Sequence, residues 1–275
     1  SKLILGKDIQ KVYRRSTKGT YYVYTVNSKK IRLIGEQIQE PTFSPDSKKV
    51  AYAKNNNLFI LDLTTNTTRQ VTYDGKYNHI INGTTDWVYE EEFGFVRAFE
   101  WSNDSKFIAF LRFNESKVKE FTMGITGNQL YPTQHVFKYP KAGEDNAKVS
   151  LHTYNLKARK SKKIALGNYE YIPRIQWSNS NPILIATTLN RHQNDLKLHK
   201  INALKSSSSL LLNEKDDAYV SVKNDLTFLD DNSFIWTSEK DGYNHIYHYD
   251  FNGKLINQIT KGSWEVTKYY GFNKE

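Results

Sequence analysis

The hydrophobic and polar positions of this chain fall into short runs rather than long helical stripes. Tyr21-Tyr22-Val23-Tyr24-Thr25-Val26, Asn57-Leu58-Phe59-Ile60-Leu61-Asp62-Leu63 and His245-Ile246-Tyr247-His248-Tyr249-Asp250 alternate or run apolar. Asn, Asp, Ser, Gly and Pro bound them, which predicts strands joined by tight turns. One pattern repeats. Phe43-Ser44-Pro45-Asp46-Ser47-Lys48-Lys49-Val50-Ala51-Tyr52 recurs as Trp101-Ser102-Asn103-Asp104-Ser105-Lys106-Phe107-Ile108-Ala109-Phe110. Weaker copies begin at Trp177 and Phe228, so the spacings are 58, 76 and 51 residues. Each copy reads as an aromatic strand end, a polar turn and a second strand.

Three to four short strands in a unit of about 50 residues, repeated, predict an all-β fold, a β-propeller. A β-sandwich also uses short strands but does not repeat its sequence in this way. Four clear units and a partial first one, Tyr21 to Ile34, predict a partial propeller of about four to five blades, with residues 1–275 as a single domain fragment. The long spacing holds an insertion, residues 114–146, with Phe121, Met123, Ile125, Leu130, Tyr131, Val136 and Phe137. That is too apolar for a free loop, and it is read as an extended inter-blade arm that covers a partner.

Composition adjusts this picture in three places. Mean hydropathy is low at −0.68, yet 19 Tyr, 14 Phe and 5 Trp supply the volume to fill a core. The absence of cysteine excludes disulfides, thiolate metal sites and cysteine nucleophiles. No run is long and apolar enough for a membrane span, and Ser1-Lys2-Leu3-Ile4-Leu5-Gly6 is too short for a signal core. The net charge of +10 raises the question of a nucleic-acid or anionic-surface partner. The lysines fall in short groups at predicted turns, such as Lys160-Ser161-Lys162-Lys163, so the expectation is a solvated rim and no nucleic acid.

The segment that departs most from the repeat is Thr85-Asp86-Trp87-Val88-Tyr89-Glu90-Glu91-Glu92-Phe93, three carboxylates among aromatic residues. In a strand neighbouring carboxylates point to opposite faces; in a helical turn they splay by about 100° and can converge on one small group. One or two helical turns ending at Gly94 are therefore predicted. Crowded carboxylates call for a cation, and an ammonium meets that need with charge-assisted hydrogen bonds. Two readings stand beside it: a solvated acidic turn paired with lysines, and a Mg²⁺ or Ca²⁺ site with Asp86 as a further oxygen ligand. The seven histidines and the run Ser206 to Ser209 have no nucleophile elbow to serve, because no Gly-x-Ser-x-Gly occurs.

Asp86-Trp87-Val88-Tyr89-Glu90-Glu91-Glu92, Tyr139-Pro140-Lys141-Ala142-Gly143 and Thr260-Lys261-Gly262-Ser263-Trp264-Glu265-Val266 resemble the propeller of dipeptidyl peptidase IV, a prolyl oligopeptidase-type serine peptidase, along the whole chain. The resemblance implies part of an eight-bladed propeller that caps an α/β-hydrolase domain lying outside this chain. It implies a substrate-gating domain of a bacterial exopeptidase that releases Xaa-Pro or Xaa-Ala dipeptides from peptides with a free N-terminus. Glu91 and Glu92 would bind the substrate ammonium, with Glu90 structural or peripheral. Lys11-Val12-Tyr13-Arg14-Arg15-Ser16 resembles the stretch whose arginine meets a substrate carbonyl, which points to Arg14, with Arg15 adjacent. The 114–146 arm would form a homodimer. No catalytic residue, metal or cofactor is expected in this chain, which alone would be inactive, and the parent would be exported, periplasmic or on the cell surface. The reading from a different class is a stand-alone propeller that binds a protein or glycan without catalysis.

Overall fold

Every copy of the repeat becomes the turn between the first and second strands of a blade. The structure, a computed structural model, describes residues 1–273. β1 (Lys2–Lys11), β2 (Thr17–Thr25) and the first half of β3 (Lys30–Phe43) make a three-stranded first blade. β3 is irregular at Gln37 and Glu40, both at φ 53°, where it passes from pairing with β2 to pairing with β4. Its second half opens the second blade, with β4 (Lys49–Lys54), β5 (Asn57–Asp62) and β6 (Thr67–Gln70).

The third blade begins with β7 (Ile80–Asn82), is interrupted by α1 (Trp87–Glu92), and resumes with β8 (Phe99–Trp101) and β9 (Phe107–Asn114). After a hairpin of β10 (Glu120–Ile125) and β11 (Thr133–Lys138) it is completed by β12 (Lys148–Asn155) and β13 (Lys160–Lys163). β14 (Tyr171–Trp177), β15 (Ile183–Leu189), β16 (Asp195–Asn202) and β17 (Ser207–Lys215) form the fourth blade. β18 (Thr227–Phe228), β19 (Phe234–Ser238), β20 (His245–Tyr249) and β21 (Leu255–Gln258) form the fifth.

The repeated residues recur because some close the turn and others stitch one blade to the next. Ser102 Oγ donates to Asp104 Oδ1 at 2.7 Å and accepts from the Phe107 amide at 2.9 Å, closing the turn. Ser44 does the same with Asp46 at 2.6 Å and the Lys49 amide at 3.0 Å. The aromatic before the serine reaches back: Trp101 Nε1 donates to Thr42 O and Trp177 Nε1 to Glu100 O, each in the preceding blade. The asparagine after it reaches forward, Asn103 to Ser178 O and Asn179 to Phe228 O. Between the sheets large rings fill the wedge, Phe99, Phe110, Phe113, Phe234, Trp236 and Tyr247 all being fully buried.

The arm corrects one expectation. It leaves from β9 and returns to β12, strands paired directly from Asn114↔Lys148 to Phe107↔Asn155, so it is an insertion within one blade and not between two. Its two strands pair in register from Glu120↔Lys138 to Ile125↔Thr133. The tip residues Leu130 and Tyr131 are 90% and 79% exposed.

Candidate functional site: an acidic helix on a two-chain stem

The acidic segment is a detour in the first strand of the third blade. β7 pairs with Arg112–Asn114 of β9 and β8 with Ile108–Phe110, so the two short strands are halves of one strand opened in the middle. Gly83, at φ +80°, starts the detour, and a Cβ there would press on Leu58 Cδ1 at 3.1 Å. The outgoing and returning chains form a stem: Thr84 bridges Arg97, and the Thr85 amide donates to Val96 O at 3.1 Å. The helix is the tip of that stem.

At six residues α1 is too short to hold itself, and its stability comes from its attachments. Asp86 caps it, Oδ1 accepting from the Tyr89 amide at 3.0 Å, and Gly94 at φ +73° ends it. Tyr89 is buried in a cage of Phe93, Phe95, Phe113 and Tyr171, and its hydroxyl accepts from the Ile172 amide at 2.8 Å. Arg174 Nη2 donates to Phe93 O at 2.9 Å, and its guanidinium lies over the Phe95 ring. On the other side Trp87 packs on Tyr139 with ring centroids 4.3 Å apart. The helix is thus held between β14 of the fourth blade and the base of the arm.

The three glutamates have three different environments. Glu90 is 1% exposed, and its Oε1 accepts from the backbone amides of Arg15 and Ser16, which ties the loop before β2 to the helix. Glu91 is paired with Arg14, whose Nε donates to Oε1 at 3.0 Å and Oε2 at 2.7 Å. Glu92 is exposed, and its carboxylate makes no hydrogen bond or ion pair among the described residues. Glu91 and Glu92 are the last two residues of the helix, where backbone carbonyls already concentrate negative charge and no basic side chain occupies the last turn. One guanidinium beside two outward carboxylates leaves room for a second cation.

Deeper in, two further acids face each other's field. Asp86 and Glu115 are each 6% exposed. Burial raises Asp86 to about 6, and burial together with the Asp86 charge raises Glu115 to about 7, against the pull of Lys138. Burial and the charges of Glu115, Tyr77, Asp86 and Glu90 also push the Tyr13 phenol well up. The metal reading loses its extra ligand here, because Asp86 turns inward to the Tyr89 amide instead of joining Glu91 and Glu92.

Across residues 1–275 the chain matches the family model of the dipeptidyl peptidase IV (DPP IV) N-terminal region. The chain belongs to this family. It is similar to the crystal structure of dipeptidyl peptidase 4 of Porphyromonas gingivalis, with a TM-score of 0.94 and 40% identity, over 98% of this chain and 40% of that one. It is also 29% identical to dipeptidyl aminopeptidase B of Saccharomyces cerevisiae over 285 residues, 96% of this chain and 35% of the relative. The chain therefore spans about a third of the length of such relatives, and it is the N-terminal region of a dipeptidyl peptidase IV-like protein. The fold, a β-propeller portion with one short helix, agrees with that membership.

In this member of the dipeptidyl peptidase IV N-terminal region, the residues singled out in the sequence come together. Arg14 meets Glu91 although 77 positions separate them, and Glu92 follows on the same helix with its side chain exposed. Arg15 contributes its backbone, not its side chain, to the contact with Glu90. The sequence did not point to Asp86 with Glu115, to Arg174, or to Tyr171, whose hydroxyl accepts from Asn146 at 3.0 Å beside Glu170. No local pattern marks these residues, and each gains its meaning from a contact across blades. Among the described residues no helix is long and apolar enough to cross a membrane.

Proposed function

We propose that this region recognises the free N-terminus of a peptide for a dipeptidyl-peptidase, Glu91 and Glu92 binding the ammonium and Arg14 orienting Glu91 and a nearby substrate carbonyl. The observation that carries the reading is the unequal treatment of the two outward carboxylates. Glu91 is half-neutralised by Arg14, while Glu92 beside it is open to solvent on the electronegative end of a helix. An ammonium placed between them satisfies both without displacing Arg14, and its three N–H groups match the carboxylate lone pairs. A helix fixed by its cap, by Glu90 and by Arg174 sets the distance from that ammonium to any reacting bond, which is how a binding site becomes a ruler for two residues. The activities for which the relatives are named, dipeptidyl peptidase and dipeptidyl aminopeptidase, fit such a ruler.

In this reading the cutting group lies in another part of the protein, this chain alone hydrolyses nothing, the arm joins two copies, and the parent is exported. The test uses the full-length enzyme. Glu92→Gln is expected to cost about 2–5 kcal/mol in kcat/KM on a Gly-Pro substrate with a free amine, the loss typical of a truncated charge pair. A substrate with an acylated amine should show little further loss. Unchanged kcat/KM on the free amine would sink the assignment.

A further inference from the structure

The end of the blades opposite the acidic helix carries a second, oppositely charged feature. β12 runs from the arm to Asn155 and is eight residues, about 25 Å, long. At its far end lie the turn 156–159 and the edge strand β13, together Leu156-Lys157-Ala158-Arg159-Lys160-Ser161-Lys162-Lys163. Its five cations are all exposed, and none has an ion-pair partner among the described residues. Lys160 and Lys162 leave one face of β13 and Lys163 the other, so the strip wraps the edge. Lys106 adjoins it, its carbonyl accepting from the Leu156 amide at 3.0 Å, but its ammonium is paired with Asp104 at 3.2 Å, so the free charge is that of the strip itself. Lys205 occupies the equivalent turn of the next blade, which is tied to this one by Ser208 Oγ donating to Ala165 O.

The carboxylates at this end are already engaged. Asp46 accepts from the Lys48 amide, Asp62 from Thr64 and Thr65, and Asp104 from Lys106 in the repeated turns. The flanking edge segments add no acid, being Thr67, Thr68 and Arg69 on one side and Ser207, Ser208 and Ser209 on the other. Lysines on an edge strand also guard against strand pairing, a role that charge of either sign fulfils. What that role does not require is a single sign, concentrated and uncompensated.

We propose that the strip 156–163, with Lys205 beside it, is a docking surface for the phosphate headgroups of an anionic lipid surface. Its layout favours a surface over a small ligand, because the five exposed cations are spread along a turn and an edge strand and leave both faces of that strand. Its composition disfavours single-stranded nucleic acid, since no aromatic side chain interleaves the cations to stack bases. Docked this way, the blades stand on the surface with the acidic helix at the far end, open to peptides.

The test is co-sedimentation of the full chain with vesicles of phosphatidylcholine alone and of phosphatidylcholine and phosphatidylglycerol in equal parts. Binding only to the anionic vesicles is expected, lost between low and physiological salt concentration or above. Reversing Lys157, Arg159, Lys160, Lys162 and Lys163 to Glu keeps the edge charged and should cut partitioning at least tenfold, as each basic residue near such a surface counts several-fold. A control with the same net-charge change elsewhere, Lys141, Lys148, Lys215, Lys261 and Lys268 to Glu, should keep most of the binding. Circular dichroism of both variants establishes that they fold. Equal loss in the two variants would overturn the proposal, as would competition by millimolar inorganic phosphate, or tighter binding to duplex DNA than to the vesicles.

Discussion

Three adjacent glutamates with one chemistry acquire three roles from a rotation of about 100° per residue. Glu90 turns inward, and its removal leaves the Arg15 and Ser16 amides without a partner. Glu90→Ala is therefore expected to cost about 2–4 kcal/mol in chemical denaturation, the loss of one buried and one part-buried hydrogen bond to a charged acceptor, whereas Glu92→Ala at an exposed position should cost almost none. Asp86 gives a pH prediction. Its folded value near 6 lies above the ordinary carboxylate value, so the folded state binds more protons between about pH 4 and 6, and stability falls as pH rises through that window. Asp86→Asn keeps the helix cap and removes the titration. Its stability relative to the parent should grow by up to about 3 kcal/mol from pH 4 to pH 8, two pKa units' worth; a difference constant with pH, measured by thermal melts, would refute this. Glu115→Gln should shift in the same direction, through a window reaching about 7.

At the scale of elements, the repeat was legible because the turn between the first two strands depends on its own few residues. In the two clearest copies a serine, an acid two positions on and a flanking aromatic all act within one short stretch. Ser102→Ala should accordingly destabilise by about 1–3 kcal/mol in urea denaturation, since it strips the Phe107 amide and Asp104 of a shared partner. The helix at 87–92 was legible too, from the run of three glutamates and the stop at Gly94, whereas the cap at Asp86 emerged only in the structure. What the sequence concealed was the split strand. β7 and β8 are three residues each, too short for any periodicity to show, and they are recognisable only by their common partner β9. The arm's apolar content set it apart from a free loop, yet its hairpin pairing and its placement within one blade depend on the registers of β10 with β11 and β9 with β12, which no local pattern records. Likewise the contact of Arg14 with Glu91 could be expected only from likeness to a family, because the intervening blade decides it.

At the scale of the molecule the first blade presents an unpaired apolar face. Leu3 lies opposite Tyr24 and Tyr24 opposite Ile31; Leu5 lies opposite Tyr22 and Tyr22 opposite Leu33. Leu3, Leu5, Ile31 and Leu33 are 50%, 41%, 63% and 46% exposed. A face of this kind is one that a neighbouring blade covers in a propeller, and alone it favours association. The isolated chain should self-associate with rising concentration in analytical ultracentrifugation, and Leu5→Lys with Leu33→Lys should reduce that association while leaving the melting temperature within a few degrees. The opened strand of the third blade has a consequence for descent. Because β7 and β8 lie along the same partner, and Gly83 and Ala98 meet at the mouth of the stem through a 3.0 Å hydrogen bond, the scaffold closes whether or not the stem is there. Excising 84–97 would join two chain ends that already touch, so selection can lengthen or shorten the acidic tip while the strand pairing of the blade that carries it is kept.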